Sequence, residues 1–226
     1  MTRFGSISIG AALLLSTGIA SAATTDLLIT AVYDGPLNGG TPKGVELYVL
    51  NDIADLSIYG LGVANNGGGT DGIEFTLSGS ASAGDYIYVT NNATNFATFF
   101  GLTADFTSSK LAANGDDAIE LFMNGLVVDV LGDVNVDGTL QAWDYLDGWA
   151  YRVSETLADG SFTLANWTFS GRNVFDGETL NATAATSMPI GTYTYTMPEV
   201  DAPVPLPATG LMLMGGIGLA TALRRR

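Results

Sequence analysis

Between Leu27 and Phe169 the chain is interrupted every few residues by Gly, Asn or Asp, and the stretches between the breaks are short, apolar and rich in β-branched and aromatic side chains. The runs are Leu27 to Tyr33, Val45 to Leu50, Leu56 to Val63, Ile73 to Leu77, Tyr86 to Thr90, Ala118 to Met123, Leu126 to Leu131, Trp149 to Val153 and Trp167 to Phe169. Runs too short for helices, each closed by turn residues, predict an all-β sandwich or barrel. One hairpin is defined by its turn: Asn124-Gly125 between Ile119 to Met123 and Leu126 to Val130 supplies the two positive φ angles of a type I′ connection. A single short helix is expected over Asn95 to Phe100, ended by Gly101, and Asn65-Asn66-Gly67-Gly68-Gly69 reads as a loop. No repeat of fixed period is visible, which argues against a solenoid or propeller. The 226 residues, 47% of them hydrophobic, suffice for one core of ordinary size.

Both ends differ from this pattern. A single positive charge, Arg3, leads into the apolar stretch Ile7 to Ile19 and then the small residues Ala20-Ser21-Ala22-Ala23, the three-part pattern of a secretory signal peptide. Cleavage at the Ala20, Ala22, Ala23 segment would start the mature chain near Thr24. At the other end Val204-Pro205-Leu206-Pro207-Ala208-Thr209-Gly210 precedes the apolar run Leu211 to Leu223 and then Arg224-Arg225-Arg226. Counted from Val204 the apolar span is 20 residues, enough for a transmembrane helix, and the terminal arginines would stay on the cytoplasmic side. This tail resembles the VPLPA-CTERM signal, a variant of the PEP-CTERM sorting signals of Gram-negative bacteria, which implies processing by an exosortase-like enzyme. Leu206 to Gly210 also reads as the LPxTG signal of Gram-positive sortases, and an uncut single-span anchor is a further alternative. The segments are then a signal peptide at 1–23, a sandwich at 24–180, a last strand and linker at 181–203, and a sorting signal at 204–226. Within 181–203, the alternation Thr192-Tyr193-Thr194-Tyr195-Thr196 would place Tyr193 and Tyr195 on one face of a strand, with a linker from Pro198.

Composition removes several function classes. With no His and no Cys there is no Ser-His-Asp or Cys-His nucleophile and no His or Cys ligand for zinc or haem. The net charge is -15, and between the terminal segments only Lys43, Lys110, Arg152 and Arg172 face all 23 acidic side chains, so nucleic acid is not an expected partner.

The opening Leu28-Ile29-Thr30-Ala31-Val32-Tyr33-Asp34-Gly35, then Val45-Glu46-Leu47-Tyr48-Val49, Asn114-Gly115-Asp116-Asp117-Ala118-Ile119-Glu120-Leu121 and Val127-Val128-Asp129-Val130-Leu131-Gly132 together resemble the bacterial lamin-tail domain. The resemblance spans about Leu27 to Phe169 and implies an immunoglobulin-like β-sandwich. Ala31 departs from it, at a strand position where the family often carries an acid. The family is often attached to nucleases or adhesive modules, and a lamin-tail fold by itself names no reaction.

One constellation carries metal chemistry. Asp133, Asn135, Asp137, Gly138, Thr139, Gln141 and Asp144 fit the calcium-loop spacing D-x-[DN]-x-[DN]-G, with oxygens at loop positions 1, 3, 5, 7, 9 and 12. Asp133, Asn135 and Asp137 would ligate by side chain, Thr139 by its carbonyl, Gln141 directly or through water, and Asp144 would close the site. Against this stands the β-type sequence on both sides, where an EF-hand or dockerin has a helix; the alternative is a set of acidic turns. Trp143, Tyr145, Trp149 and Tyr151 form either a carbohydrate-stacking platform or the cap of the core. Glu46, Glu74, Glu120 and Glu155 are the carboxylates a glycosidase would need, but no spacing singles out a pair.

The sequence therefore predicts an exported, non-enzymatic cell-surface protein that displays an acidic β-sandwich for adhesion or matrix contacts. Its tail would meet an exosortase-like enzyme, its C-terminal helix the membrane before processing, and its sandwich a polysaccharide or protein partner, with calcium as the cofactor. A carbohydrate-binding module and a carboxylate hydrolase are the rivals.

Overall fold

The computed structural model describes residues 25–197. The signal-peptide residues Ala20, Ala22 and Ala23 and the sorting residues Val204, Pro205, Leu206, Pro207, Ala208, Arg224, Arg225 and Arg226 lie outside them. No helix among the described residues is long and apolar enough to cross a membrane. The chain divides into two compact units, Met1–Tyr195 and Thr196–Arg226, and the β-structure belongs to the first.

The strands are β1 (Leu27–Leu37), β2 (Thr41–Val49), β3 (Tyr59–Ala64), β4 (Phe75–Thr76), β5 (Tyr86–Thr90), β6 (Phe106–Thr107), β7 (Ala118–Met123), β8 (Leu126–Leu131), β9 (Trp149–Arg152) and β10 (Trp167–Phe169), with helix α1 at Ala93–Phe100. They form a six-stranded sheet ordered β10-β9-β1-β2-β5-β6 and a four-stranded sheet ordered β4-β3-β7-β8. Leu27, Ile29, Val45, Leu47 and Val89 of the larger sheet and Leu61, Val63, Ile119, Leu121 and Leu131 of the smaller one share one buried cluster, so the all-β expectation is realised as a sandwich.

A second apolar layer covers the far face of the larger sheet. Leu28, Ala31, Tyr33, Trp149 and Tyr151 pack there against Phe96 and Phe99 of α1 and against Phe175, Met188 and Tyr193. Both faces of β1 are thus buried, which explains why its sequence is apolar almost without alternation. The strand keeps period two all the same. Leu27 and Ile29 point to the inner core and Leu28 to the outer layer; a bulge at Thr30 then shifts the phase, so that Ala31 and Tyr33 join the outer layer and Val32 the inner core.

The Asn124-Gly125 hairpin has positive φ at both central residues, 52° and 79°, as its turn type requires. Helix α1 begins at an Asn92 cap, whose side chain accepts from the Asn95 N–H at 3.0 Å, and ends at left-handed Gly101. Leu56–Ile58, expected as the start of a strand, is a 3-10 turn capped by Asp55. The Ile73 to Leu77 run contracts to β4, and the two-residue β6, unforeseen, pairs parallel to β5.

The segment 192–196 is not a strand. Tyr193 is buried, with threonines exposed on either side, as the alternation predicts. Its backbone, however, is bound by side chains: the Thr192 and Tyr193 N–H groups donate to the Tyr151 hydroxyl at 3.0 and 2.8 Å. Packing continues through Ala184 and Met188, so the folded body extends past residue 180.

Candidate binding cleft

On β7, Ile119 and Leu121 face the inner core, so Glu120 between them points out from the smaller sheet. Its cross-strand neighbours are Gly62 on β3 and Val130 on β8. A Cβ at Gly62 would stand 2.4 Å from the Gly72 carbonyl oxygen, so the glycine is what lets the loop before β4 cross close over β3. That loop is tied to the one after β8: the Gly69 N–H donates to the Val134 carbonyl at 2.8 Å, and a Cβ at Gly67 would meet the Asp137 nitrogen at 2.5 Å. From the other side the chain after β9 brings Gly160, Ser161 and Phe162 beside β8.

The three loops enclose a half-open cleft of about 360 Å³ with Glu120 in its lining, a size at the lower end of small-ligand sites. Val127, Val130, Val134 and Phe162 make the apolar walls, and the Phe162 ring is held edge-on to Trp143 at 6.1 Å. Thr70 and Asp133 add polar groups. Glu120 is only 1% exposed; its Oε1 accepts from the Thr70 hydroxyl at 2.7 Å, and its Oε2 has no hydrogen-bond partner among the described residues. Burial raises the Glu120 pKa above its ordinary value and the nearby Asp71 charge adds to the effect, while the Thr70 hydrogen bond opposes both. Leaving a buried carboxylate oxygen unpaired costs about 1–3 kcal/mol.

The predicted calcium ligands are dispersed into local hydrogen bonds. Asp133 Oδ1 accepts from the Asn135 N–H at 3.0 Å, and Asp137 Oδ1 from the Thr139 N–H at 2.9 Å, which holds the Asp137 pKa below its usual value. The Thr139 hydroxyl turns to Asp116, while Gln141 is exposed. Asp144 is buried; it accepts from the Leu140 and Leu146 N–H groups and pairs with Arg172 at 3.2 Å. Gly138, the template's turn glycine, is needed for packing instead, because a Cβ there would meet the Trp143 ring at 2.4 Å. No group of three or more acidic side chains among the described residues is placed to share a metal ion. Millimolar calcium added to chelated protein is accordingly expected to move the thermal midpoint by less than about one degree. A rise of several degrees that Asp137→Ala abolishes would show that the loop rearranges around the ion.

Trp143, Tyr145, Trp149 and Tyr151 are all buried and divide among three separate clusters, so they form no stacking platform. Of the candidate acids, Glu46 is buried under the outer layer of the larger sheet and Glu120 lies on the far side of the smaller one, so these two cannot act as a pair across one bond. Glu74 accepts from the Val63 N–H at 3.1 Å, and Glu155 is exposed. Thr70 and Phe162 carry no signal of their own in the sequence, and they come to the cleft from positions 50 and 42 residues from Glu120 along the numbering.

No family model matches the chain, and no curated protein or solved structure is detectably similar to it.

Proposed function

We propose that this is an exported, non-enzymatic cell-surface protein, a β-sandwich displayed for adhesion or matrix contacts through the cleft that Glu120 lines. The observation that carries the binding role is the buried Glu120 carboxylate, whose Oε2 has no hydrogen-bond partner among the described residues, in the lining of a cleft with apolar walls. Export and display rest on the sequence: the Ala20 to Ala23 cleavage pattern at one end, and Val204 to Ala208 with Arg224 to Arg226 at the other. An exosortase-like enzyme of a Gram-negative envelope is the partner that such a tail implies. The immunoglobulin-like, lamin-tail reading of the sandwich belongs to the same proposal. It is supported by the β7–β8 hairpin, which carries the most distinctive segment of the resemblance, although six and four strands make a larger body than the seven of a constant-type immunoglobulin domain.

Intact mass spectrometry of the protein isolated from its native envelope tests this reading. The mature chain is expected to begin near Thr24 and to end before Arg224. A mass that still includes Arg226 would contradict processing of the tail, and turnover of a polysaccharide by the pure protein would contradict the non-enzymatic role.

A further inference from the structure

We infer that the Glu120 cleft takes a primary ammonium group on a short alkyl stem, the chemistry of a lysine side chain or a free alkyl diamine. The inference rests on the reading of the chain as a displayed binder and specifies what its site accepts. The cleft lining includes Glu120, whose Oε2 has no hydrogen-bond donor among the described residues and whose Oε1 is held by the Thr70 hydroxyl. Asp133 lies in the same cleft, Asp71 is close enough to raise the Glu120 pKa, and no basic residue among the described residues lines the space. The local field therefore favours a cation and repels phosphate, sulfate or carboxylate.

A divalent ion is disfavoured by the scarcity of carboxylates placed to share it. An ammonium needs less: one or two charge-assisted hydrogen bonds for the head, and an apolar surface for the methylenes. Val127, Val130, Val134 and the Trp143-backed Phe162 provide that surface. A neutral sugar would find carboxylate acceptors here, but not the broad aromatic platform on which sugar rings stack, because the tryptophans are buried.

The test is calorimetric titration of the mature protein with Nα-acetyl-lysine methylamide and with cadaverine, using Nα-acetyl-norleucine methylamide and methyl glucoside as uncharged controls. Both amines are expected to bind and both controls to fail. Tighter binding of the lysine amide would assign the site to a protein partner, and tighter binding of cadaverine to a free diamine. Glu120→Gln is expected to weaken the amines at least about tenfold, the loss of a charge-assisted hydrogen bond. Because a buried substitution can disturb folding, Val127→Lys provides a second check: from a half-buried wall position it places a tethered ammonium in the cleft and is expected to exclude the free amines while the near-ultraviolet circular dichroism stays native.

Norleucine amide or glucoside binding as well as the amines, undiminished amine binding by both variants, or no amine binding at millimolar concentration would overturn the inference. The display reading is judged separately, by surface attachment and terminal masses: a sorted protein that ignores amines sinks only the ligand assignment, whereas amine binding by a protein that keeps both termini sinks only the sorting.

Discussion

Replacing Arg152 with methionine is expected to destabilise the sandwich by about 3–5 kcal/mol, the usual cost of stranding one member of a buried ion pair. Arg152 Nη2 lies 2.7 and 2.6 Å from the two oxygens of Asp129, and both side chains are buried. The pair also completes the backbone of β1. Pairing between β1 and β9 begins only at Ala31, so Ile29, just ahead of the bulge, has no strand partner on that side. Its N–H donates instead to Asp129 Oδ2 at 2.8 Å and its carbonyl accepts from Arg152 Nε at 2.5 Å. The guanidinium further donates to the Leu157 carbonyl and stacks 4.4 Å above the Trp167 ring. Desolvation already raises the Asp129 pKa against the opposing pull of Arg152, so removing the arginine should drive this carboxyl to its neutral form. The double variant Asp129→Leu with Arg152→Met is expected to recover only part of the loss, since both Ile29 groups remain unpaired. Urea unfolding measures both; a loss under about 1 kcal/mol for Arg152→Met would show that the pair is dispensable.

The second large effect is in pH. Glu46 is fully buried, accepting from the Thr30 hydroxyl at 2.7 Å, the Tyr151 hydroxyl at 3.1 Å and the Gly191 N–H at 2.6 Å, and burial pushes its pKa from 4.5 up to about 7. The folded state thus holds this proton more tightly than the unfolded chain. Between the two values unfolding releases a proton, so raising the pH through that window favours unfolding. The stability that Glu46 contributes in acid is expected to fall by up to about 3 kcal/mol between pH ~5 and pH ~8. Asp34, Asp117 and Asp129 are raised as well, which makes the comparison with Glu46→Gln the informative one. That variant should flatten the profile. Melting curves across the window check it, and an unchanged slope in Glu46→Gln would refute the assignment. Because Tyr151 links Glu46 to residues 192 and 193, the same titration should loosen the C-terminal segment first.

What the sequence revealed and what it hid follow one physical division. Signals contained within a few residues were readable: β7, β8 and their Asn-Gly turn, β5, and the Gly101 end of the helix sit where local chemistry places them, while the helix starts at Ala93, two residues before the expected Asn95. Signals that depend on distant partners were not. The Asp133 to Asp144 spacing matches a calcium loop, and it did not disclose that Asp137 binds its own turn, that Gly138 packs on Trp143 or that Asp144 meets Arg172. The aromatic group from Trp143 to Tyr151 reads the same whether it stacks on a sugar or fills a core, and it fills the core. Tyr193 follows a strand's alternation, although side chains rather than a neighbouring strand satisfy its backbone. Glu120 was visible only as one of four candidate acids. Its burial was not, because the loops that cover it come from far along the chain on either side.

The most direct measurement of the cleft is the titration of the Glu120 carboxyl carbon by NMR in the mature protein, with and without Nα-acetyl-lysine methylamide. In the free protein the midpoint is expected above the ordinary value of 4.5, because burial and Asp71 disfavour the charged form. Bound ammonium, an opposite charge at Oε2, is expected to move it downward. A midpoint at 4.5 that the amine leaves unmoved would contradict both the buried, unpaired carboxylate and the binding role assigned to it.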